Sequence, residues 1–377
     1  MSIRGVIIEP ARLEDDAALR RILRLSPLPG WVSMSHECEP SLHDALRASG
    51  ADVEIIVARR EADGRVLGFF SRQSRCIFFN GRERRLGYMG QLRFDPSVRA
   101  RLAILRAGFA CWREHMHARA QLPWDITSIL ADNMAARRLL EAGVRGFPDY
   151  IPLCDYETLA IATSADRAAQ RDKAISPAHE EDLPGIRLFI REIFRGLQFA
   201  PALPESEWRR LFSMGSLKAG DFLIFREDGT MRGVLAIWDQ RAHKQTVIRS
   251  YAPSVRFIRP LINPFLPLAG MPALPAPGET LQQATLSFIA IQPRGRADIL
   301  PRLIRAARAR AARNGLKVLI MGWAADNPMA EIVKRHFRCL EYRSRLYLVR
   351  PARSGGAERG GHDMPQPSRV HQEVCFL

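Results

Sequence analysis

Residues 292–297 have the composition of an anion-binding loop. The stretch reads Gln-Pro-Arg-Gly-Arg-Ala and stands between a short apolar run and an amphipathic segment. The start of a helix presents backbone N–H groups without partners in the helix, together with a partial positive charge. If a helix begins in this loop, its N-terminus and the two arginines predict a site for phosphate or pyrophosphate.

The flanking segments predict a strand before this loop, and a helix and a second strand after it. Residues 286–291 are apolar and β-rich and end at a loop with proline and glycine, which is typical of a buried strand. The next apolar residues recur at the spacing of one helix face, up to Gly315: Leu300, Leu303, Ile304, Ala307 and Ala311. Residues 317–321 form a second apolar run, and two strands joined through a helix are most simply parallel.

This order of elements and the loop sequence resemble the GNAT acyltransferase superfamily. Its members bind the pyrophosphate of acyl-CoA at a loop written Gln/Arg-x-x-Gly-x-Gly/Ala. Residues 292–297 match every defined position, and Asn327-x-x-Ala330 is similar to the Asn-x-x-Ala of the family's next helix. The resemblance implies an α/β fold, with a mixed sheet flanked by helices. It also implies acetyl-CoA or another acyl-CoA as a substrate, and no metal.

The resemblance further implies a set of cofactor contacts. The loop would hold the pyrophosphate, and the backbone of the strand before it would accompany pantetheine. Asn327 would contact the cofactor or, as an equally good interpretation, cap its helix. The positions concerned are Ile289, Ala290, Ile291, Gln292, Arg294, Gly295, Arg296, Ala297 and Asn327.

A second alignment of the loop remains open. Many family members have a proline a few residues before the loop arginine, and if Pro293 is that proline, Arg296 becomes the family arginine. Ile299 and Pro301 then stand where glycines belong. In this alignment the phosphate loop is degenerate and cofactor binding is not expected.

The family's frequent tyrosine acid, seven residues after the asparagine, is absent. Leu140 and Lys334 occupy these positions in the two copies described next. Tyr251, Asp239 and Tyr342 are weak catalytic candidates, since each of these residue types more often has a structural role.

Several short motifs occur twice in the same order and predict a tandem repeat. The pairs are Pro10-Ala11 with Pro177-Ala178, Asp63-Gly64 with Asp228-Gly229, and Ala131-Asp132-Asn133 with Ala325-Asp326-Asn327. In the first copy Val98 stands where Gly295 stands in the second, and a branched side chain would prevent close approach of a ligand to the backbone. We therefore expect only the second copy to bind the cofactor.

The repeat predicts two tandem GNAT-like domains. Residues 1–157 are expected to form the first and residues 174–350 the second, with a linker at 158–173 between them. Residues 253–278 contain so many prolines that an inserted loop is expected there. Residues 351–377 are rich in glycine and polar residues and are expected to be a disordered tail.

The composition narrows the range of partners. A net charge of +16 suits an anionic partner such as CoA or an acidic carrier protein. A compositional bias of the source genome would give the same excess of basic residues. Nucleic acid is not expected, because aromatic residues are not interleaved with the basic ones. The six cysteines lack the spacing of a zinc site or a disulfide framework. No apolar stretch predicts a signal peptide or membrane span, so we expect a cytoplasmic protein without membrane contact.

These observations lead to two hypotheses. In the first, the chain is an acyl-CoA-dependent N-acyltransferase, most simply an N-acetyltransferase, in which a small-molecule or protein amine attacks the thioester directly. In the second, it is a catalytically silent GNAT-like binding module for an acidic protein or nucleic-acid partner. The sequence predicts neither the acceptor, the acyl length nor the oligomeric state.

Overall fold

The computed structural model describes residues 2–3, 5–28, 30–48, 52–99, 101–117, 120–166, 169, 171–213, 217–351 and 370–376. Within these residues the chain forms a mixed sheet with helices packed on both faces. The order strand, two helices, three strands, helix, strand, helix, strand occurs in two consecutive halves, as the repeated motifs predict, and each half has additional elements.

The first half contains eight strands and four helices in its described residues. The strands are β1 (Ser2–Ile3), β2 (Val6–Pro10), β3 (Val32–Glu37), β4 (Asp52–Arg60), β5 (Val66–Phe79), β6 (Arg82–Phe94), β7 (Asp125–Leu130) and β8 (Asp149–Ala162). The helices are α1 (Asp16–Arg24), α2 (Leu42–Arg47), α3 (Arg101–Cys111) and α4 (Met134–Glu141). Helix α1 buries Leu19, Ile22 and Leu23, which share one face at helical spacing.

The second half contains seven strands and five helices in its described residues. The strands are β9 (Ile175–Pro177), β10 (Phe222–Glu227), β11 (Thr230–Trp238), β12 (Gln245–Tyr251), β13 (Gln283–Ile291), β14 (Val318–Ala324) and β15 (Leu340–Arg350). The helices are α5 (Leu183–Phe194), α6 (Glu205–Ser213), α7 (Pro253–Ile262), α8 (Arg296–Arg313) and α9 (Pro328–His336).

The two halves repeat local geometry as well as element order. Gly64 and Gly229 end the predicted hairpin turns with φ of +70° and +73°, which glycine adopts without strain. Asp15 accepts a 2.8 Å hydrogen bond from the backbone N–H of Arg12, and Asp182 accepts an equal bond from His179. The motifs therefore mark equivalent structural positions.

The sheet joins the halves by exchanging their last strands. Thirteen of the described strands form one sheet in the order β1-β2-β4-β5-β6-β7-β15-β8-β14-β13-β11-β10-β9. Strand β15 of the second half lies between β7 and β8, and β8 of the first half pairs with β14. A separate ladder of β3 and β12 also connects the halves. Each half thus completes the sheet of the other.

The exchange corrects the expected linker at 158–173. Strand β8 continues to Ala162, and Thr158 pairs with Gly322 while Ala162 pairs with Val318. Leu159 and Ile161 are fully buried, but the alanines between them hid the strand pattern in the sequence. Residues 167, 168 and 170 of the expected linker lie outside the described residues.

The proline-rich insertion at 253–278 is a helix followed by a loop, so the expectation of a loop throughout was wrong. Pro253 occupies the first helical turn of α7, where a missing N–H leaves no bond unmade. Pro260 lies within the helix, close to its end. The remaining prolines follow the helix, as the sequence predicts.

The end of the tail is packed rather than disordered. Residues 352–369 of the expected disordered tail lie outside the described residues. Residues 370–376 are described, and Val370, Cys375 and Phe376 are at most 2% exposed. Three apolar residues in succession, Val374, Cys375 and Phe376, enter the core between the halves.

We predict that a protease cut within residues 163–173 leaves two fragments that remain associated. Strands β3, β7 and β8 would belong to one fragment while their partners β12, β14 and β15 belong to the other, so separation would break four ladders. Limited proteolysis followed by size-exclusion chromatography should show both fragments in one peak. Separate elution of two fragments, each with its own cooperative melting transition, would contradict the exchange.

Candidate active site

Strands β13 and β14 open into a cleft. They pair in parallel only through residues 283–285 and 318–320, and then the ladder ends. The cleft starts near Phe288, which has a φ of +53°, a conformation that side chains other than glycine rarely adopt. Gln91 on β6 has a φ of +55° at the equivalent place in the first half. Among the described residues, the β14-facing edge of β13 has no strand partner beyond Thr285.

The predicted anion loop follows directly at the end of β13. Gly295 has a φ of +78° and α8 begins at the next residue, Arg296. The N–H groups of Asp298 and Ile299 bond to the carbonyl of Gly295 at 3.0 and 2.9 Å. In the described structure, the N–H groups of residues 294–297 have no protein acceptor. The loop therefore presents four free donors at a helix N-terminus.

The side chains around the loop add positive charge. Arg232 donates a 2.8 Å hydrogen bond to Gln292 and so holds the first residue of the loop. Arg296 has a buried Nε without a hydrogen-bond partner among the described residues. Burial lowers the pKa of Arg296, which indicates a cation that the protein does not compensate.

The helix start bears on the choice between the two loop alignments. Ile299 and Pro301 lie inside α8, and both are buried. Their backbone is one turn beyond the free N–H groups, so glycine at these positions would not bring a ligand closer to the loop. Gly295, in contrast, is exposed and has the left-handed φ that glycine favours. This geometry favours the alignment on Gln292, Gly295 and Ala297.

The equivalent loop of the first half already contains an anion. Asp95 is 2% exposed and accepts hydrogen bonds from the N–H of Ser97 at 3.0 Å and from Arg65 at 2.8 Å. Burial alone would raise the pKa of Asp95, but the bonds from Ser97 and Arg65 lower it below its ordinary value. A carboxylate thus occupies this loop in the first half.

The end of the chain reaches the β13–β14 cleft. Glu373 accepts a 3.1 Å hydrogen bond from the backbone N–H of Phe288, at the distortion of β13. Val374 packs against Gly322 of β14, where a Cβ atom would lie 2.6 Å from its Cγ2. Gly322 must therefore lack a side chain for the segment to fit. The ring of Phe376 packs 6.1 Å from that of Phe288.

Both halves hold this segment in place. Tyr156 donates its hydroxyl to the carbonyl of Gln372 at 2.5 Å, and Lys244 donates to the carbonyl of Cys375 at 3.1 Å. His371 lies 3.1 Å from Glu373, and both side chains are about 95% buried. This pair was not among the residues predicted from the sequence. The available signal was His-x-Glu followed at once by apolar residues in a polar tail.

The predicted catalytic candidates do not gather at the cleft. Tyr251 lies on β12, and its hydroxyl donates to the carbonyl of Pro275 at 2.8 Å. Asp239 follows β11 and forms a 2.7 Å ion pair with Arg241. Tyr342 lies on β15, which β8 separates from β14. Burial raises the pKa of both tyrosines, so each keeps its proton.

The asparagine and the residue in place of the family's tyrosine have structural contacts. Asn327 accepts a 2.9 Å hydrogen bond from the N–H of Met329 and so caps α9. Lys334 forms 2.8 Å ion pairs with Glu157 and Glu331. The bonds to these carboxylates raise the pKa of Lys334, which therefore stays charged.

Comparison with solved structures identifies the fold. N-myristoyltransferase from Saccharomyces cerevisiae with bound myristoyl-CoA matches with a TM-score of 0.58 and 9% identity, over 94% of this chain and 80% of that chain. A second structure of that enzyme with bound myristoyl-CoA gives 0.52 and 11%, over 90% and 86%. A GCN5-related N-acetyltransferase from Sphaerobacter thermophilus gives 0.50 and 14%, over 93% and 98%.

This chain has a tandem GNAT fold. The structural matches and the sheet topology confirm the α/β fold class and the tandem repeat, which the loop and the paired motifs predict. No protein-family profile matches the sequence, and no curated protein matches it. At these identities the likeness concerns the fold alone.

Proposed function

We propose that this chain is an acyl-CoA-dependent N-acyltransferase. The observation that carries the proposal is the set of four free N–H groups at residues 294–297, beside a cleft that opens at Phe288. Solved structures of similar fold support the class of reaction, since they are named as an N-myristoyltransferase with bound myristoyl-CoA and a GCN5-related N-acetyltransferase.

In this proposal the pyrophosphate binds the N–H groups of residues 294–297, with Arg296 adding charge. Pantetheine then runs along the open edge of β13 at residues 289–291, where its amides replace the missing strand partner. Asn327 would lie on the other side of the cleft and keep its capping bond. This arrangement leaves the thioester near Phe288.

The transfer itself needs a donor for the carbonyl oxygen and an acceptor for a proton. The amine nitrogen attacks the thioester carbon, the C–N bond forms, the C–S bond breaks, and CoA leaves as the thiolate. The N–H of Phe288 is placed to stabilise the developing oxyanion. In the structure the Glu373 carboxylate accepts the hydrogen bond from this N–H, so the carboxylate must move away when the thioester binds. Remaining close by, with His371 as its neighbour, Glu373 would take the proton from the attacking amine.

Acyl-CoA should stabilise the folded protein against heat. A ligand that binds only the folded state adds about 2.7 kcal/mol at a concentration 100 times its dissociation constant. A thermal-shift series with CoA and with acetyl-, octanoyl- and myristoyl-CoA tests binding and ranks the acyl lengths without requiring the acceptor. Unchanged melting temperatures with every thioester would contradict the proposal and favour the silent binding module.

Gly295→Val should weaken CoA binding by about tenfold or more. Valine at a left-handed φ would shift the loop and misplace N–H donors to a charged acceptor, each bond contributing roughly 1.5–3 kcal/mol. The matched control is Gly315→Val at the other end of α8, because Gly315 has nearly the same φ, +76°, and no ligand contact is proposed there. Val98→Gly in the first half should leave affinity unchanged. Equal affinities for Gly295→Val and Gly315→Val, measured by calorimetric titration, would remove the loop assignment.

Glu373→Gln should lower kcat while leaving the KM for acyl-CoA nearly unchanged. The amide oxygen of glutamine can still accept the bond from Phe288, but it cannot take a proton, and general bases typically contribute about 10²–10⁴-fold. The assay is release of the CoA thiol with the best amine from a panel of amino acids, polyamines and peptides. Glu331→Gln, an exposed glutamate on α9, is the control. A wild-type kcat in Glu373→Gln would exclude Glu373 as the base.

A further inference from the structure

Helix α7 and the turn after it place a dense group of apolar side chains in solvent. Twelve large apolar side chains are exposed among the described residues, and six of them lie within residues 257–268. Phe257 is 80% exposed, Leu261 72%, Phe265 66% and Leu268 85%. Isolated exposed apolar residues are ordinary, but a contiguous group of this kind marks an interaction surface. We call residues 253–270 the apolar ridge.

Two polar side chains of the apolar ridge, Arg259 and Asn263, are turned toward the protein. Asn263 exchanges hydrogen bonds with the backbone of Leu274 at 3.0 and 2.7 Å. Arg259 donates to the same carbonyl at 2.9 Å. Phe257 and Leu261 are four residues apart and so share the opposite, outward face of the helix. This arrangement is the reverse of an ordinary surface helix, in which polar side chains face solvent.

The charged side chains in the segment that contains the apolar ridge are all positive. Residues 252–278 contain Arg256 and Arg259 and no aspartate or glutamate. Exposed Arg338 donates to the carbonyl of Ala269 at 3.1 Å, and the recess beside Leu268 is also lined by Arg308 and His336. The exposed apolar side chains are thus flanked by cations on a chain of net charge +16.

We propose that the apolar ridge binds an anionic lipid surface. Phe257, Leu261 and Phe265 enter the boundary between headgroups and acyl chains. The exposed arginines beside them, Arg256 and Arg338, contact lipid phosphates. A second copy of the chain is a poor occupant, because two chains of +16 repel each other. None of the described helices is long and apolar enough to cross a membrane, so the contact is interfacial. The expectation of no membrane contact rested on the lack of a spanning segment, which does not bear on an interfacial contact.

The test compares two triple variants of the full chain in vesicle co-sedimentation. The ridge variant is Phe257→Ser, Leu261→Ser and Phe265→Ser. The matched control removes three leucines that are exposed elsewhere, Leu13→Ser, Leu102→Ser and Leu188→Ser. Vesicles contain either phosphatidylcholine alone or equal parts of phosphatidylcholine and phosphatidylglycerol. Melting curves verify that both variants fold.

Wild type and the control variant should bind the anionic vesicles, and the ridge variant should bind at least about tenfold more weakly. Binding should also fall with salt and be much weaker to phosphatidylcholine alone. Equal binding of the two variants would overturn the proposal, as would failure of the wild type to bind anionic vesicles. A wild-type dimer in sedimentation velocity that the ridge variant abolishes, without vesicle binding, would assign the surface to self-association instead.

Discussion

The structure depends on the exchange of strands β8 and β15 between the two halves. Strand β15 pairs with β7 over residues 344–349 and with β8 along its whole length. Each ladder hydrogen bond contributes only about 1 kcal/mol net. The bonds of these two ladders nevertheless break together with those of β8–β14 and β3–β12 when the halves separate. The exchange therefore fixes the clefts of the two halves relative to each other. It also creates the central space into which residues 370–376 insert, with contacts from Tyr156 in one half and Lys244 in the other.

The two copies have equivalent loops, but the loops differ in whether their N–H donors are satisfied within the protein. In the first half, the carboxylate of Asp95 binds the loop N–H of Ser97 and two arginines, so the loop is electrostatically complete. In the second half, Gly295 stands before α8 and the donors of residues 294–297 have no protein acceptor. A built-in anion stabilises the fold, whereas free donors would keep a place for an external one in the proposed function. Duplication would then allow the chain to do both, because each loop has a separate structural context.

The sequence was most informative where structure is set locally. The start of α8 at Arg296, the hairpin turns at Gly64 and Gly229, and the cap at Asn327 all follow from turn and helix chemistry over a few residues. The strand exchange and the insertion of the tail depend on partners that are distant in the sequence. Gly322 pairs with Thr158, and Gln372 bonds to Tyr156, each across more than 150 residues. No local pattern encodes such partners. Helix α7 was missed for another reason, since a proline count does not distinguish Pro253 in a first turn from a proline that breaks a helix.

The contact between Glu373 and Phe288 makes the two ends of the proposed cofactor site different. The thioester end near Phe288 already has a protein acceptor, and the phosphate end at residues 294–297 does not. A charged acceptor on a buried N–H contributes roughly 1.5–3 kcal/mol, and a thioester oxygen that replaces it is neutral and a weaker acceptor. Binding at that end is therefore an unfavourable exchange. Phosphate binding at the other end of the site would be favourable. The N–H groups of residues 294–297 and the Arg296 side chain would gain a charged acceptor without losing a protein partner. In the proposed arrangement affinity would come from the phosphate end, because the N–H at the thioester end already bonds to Glu373 of the chain itself.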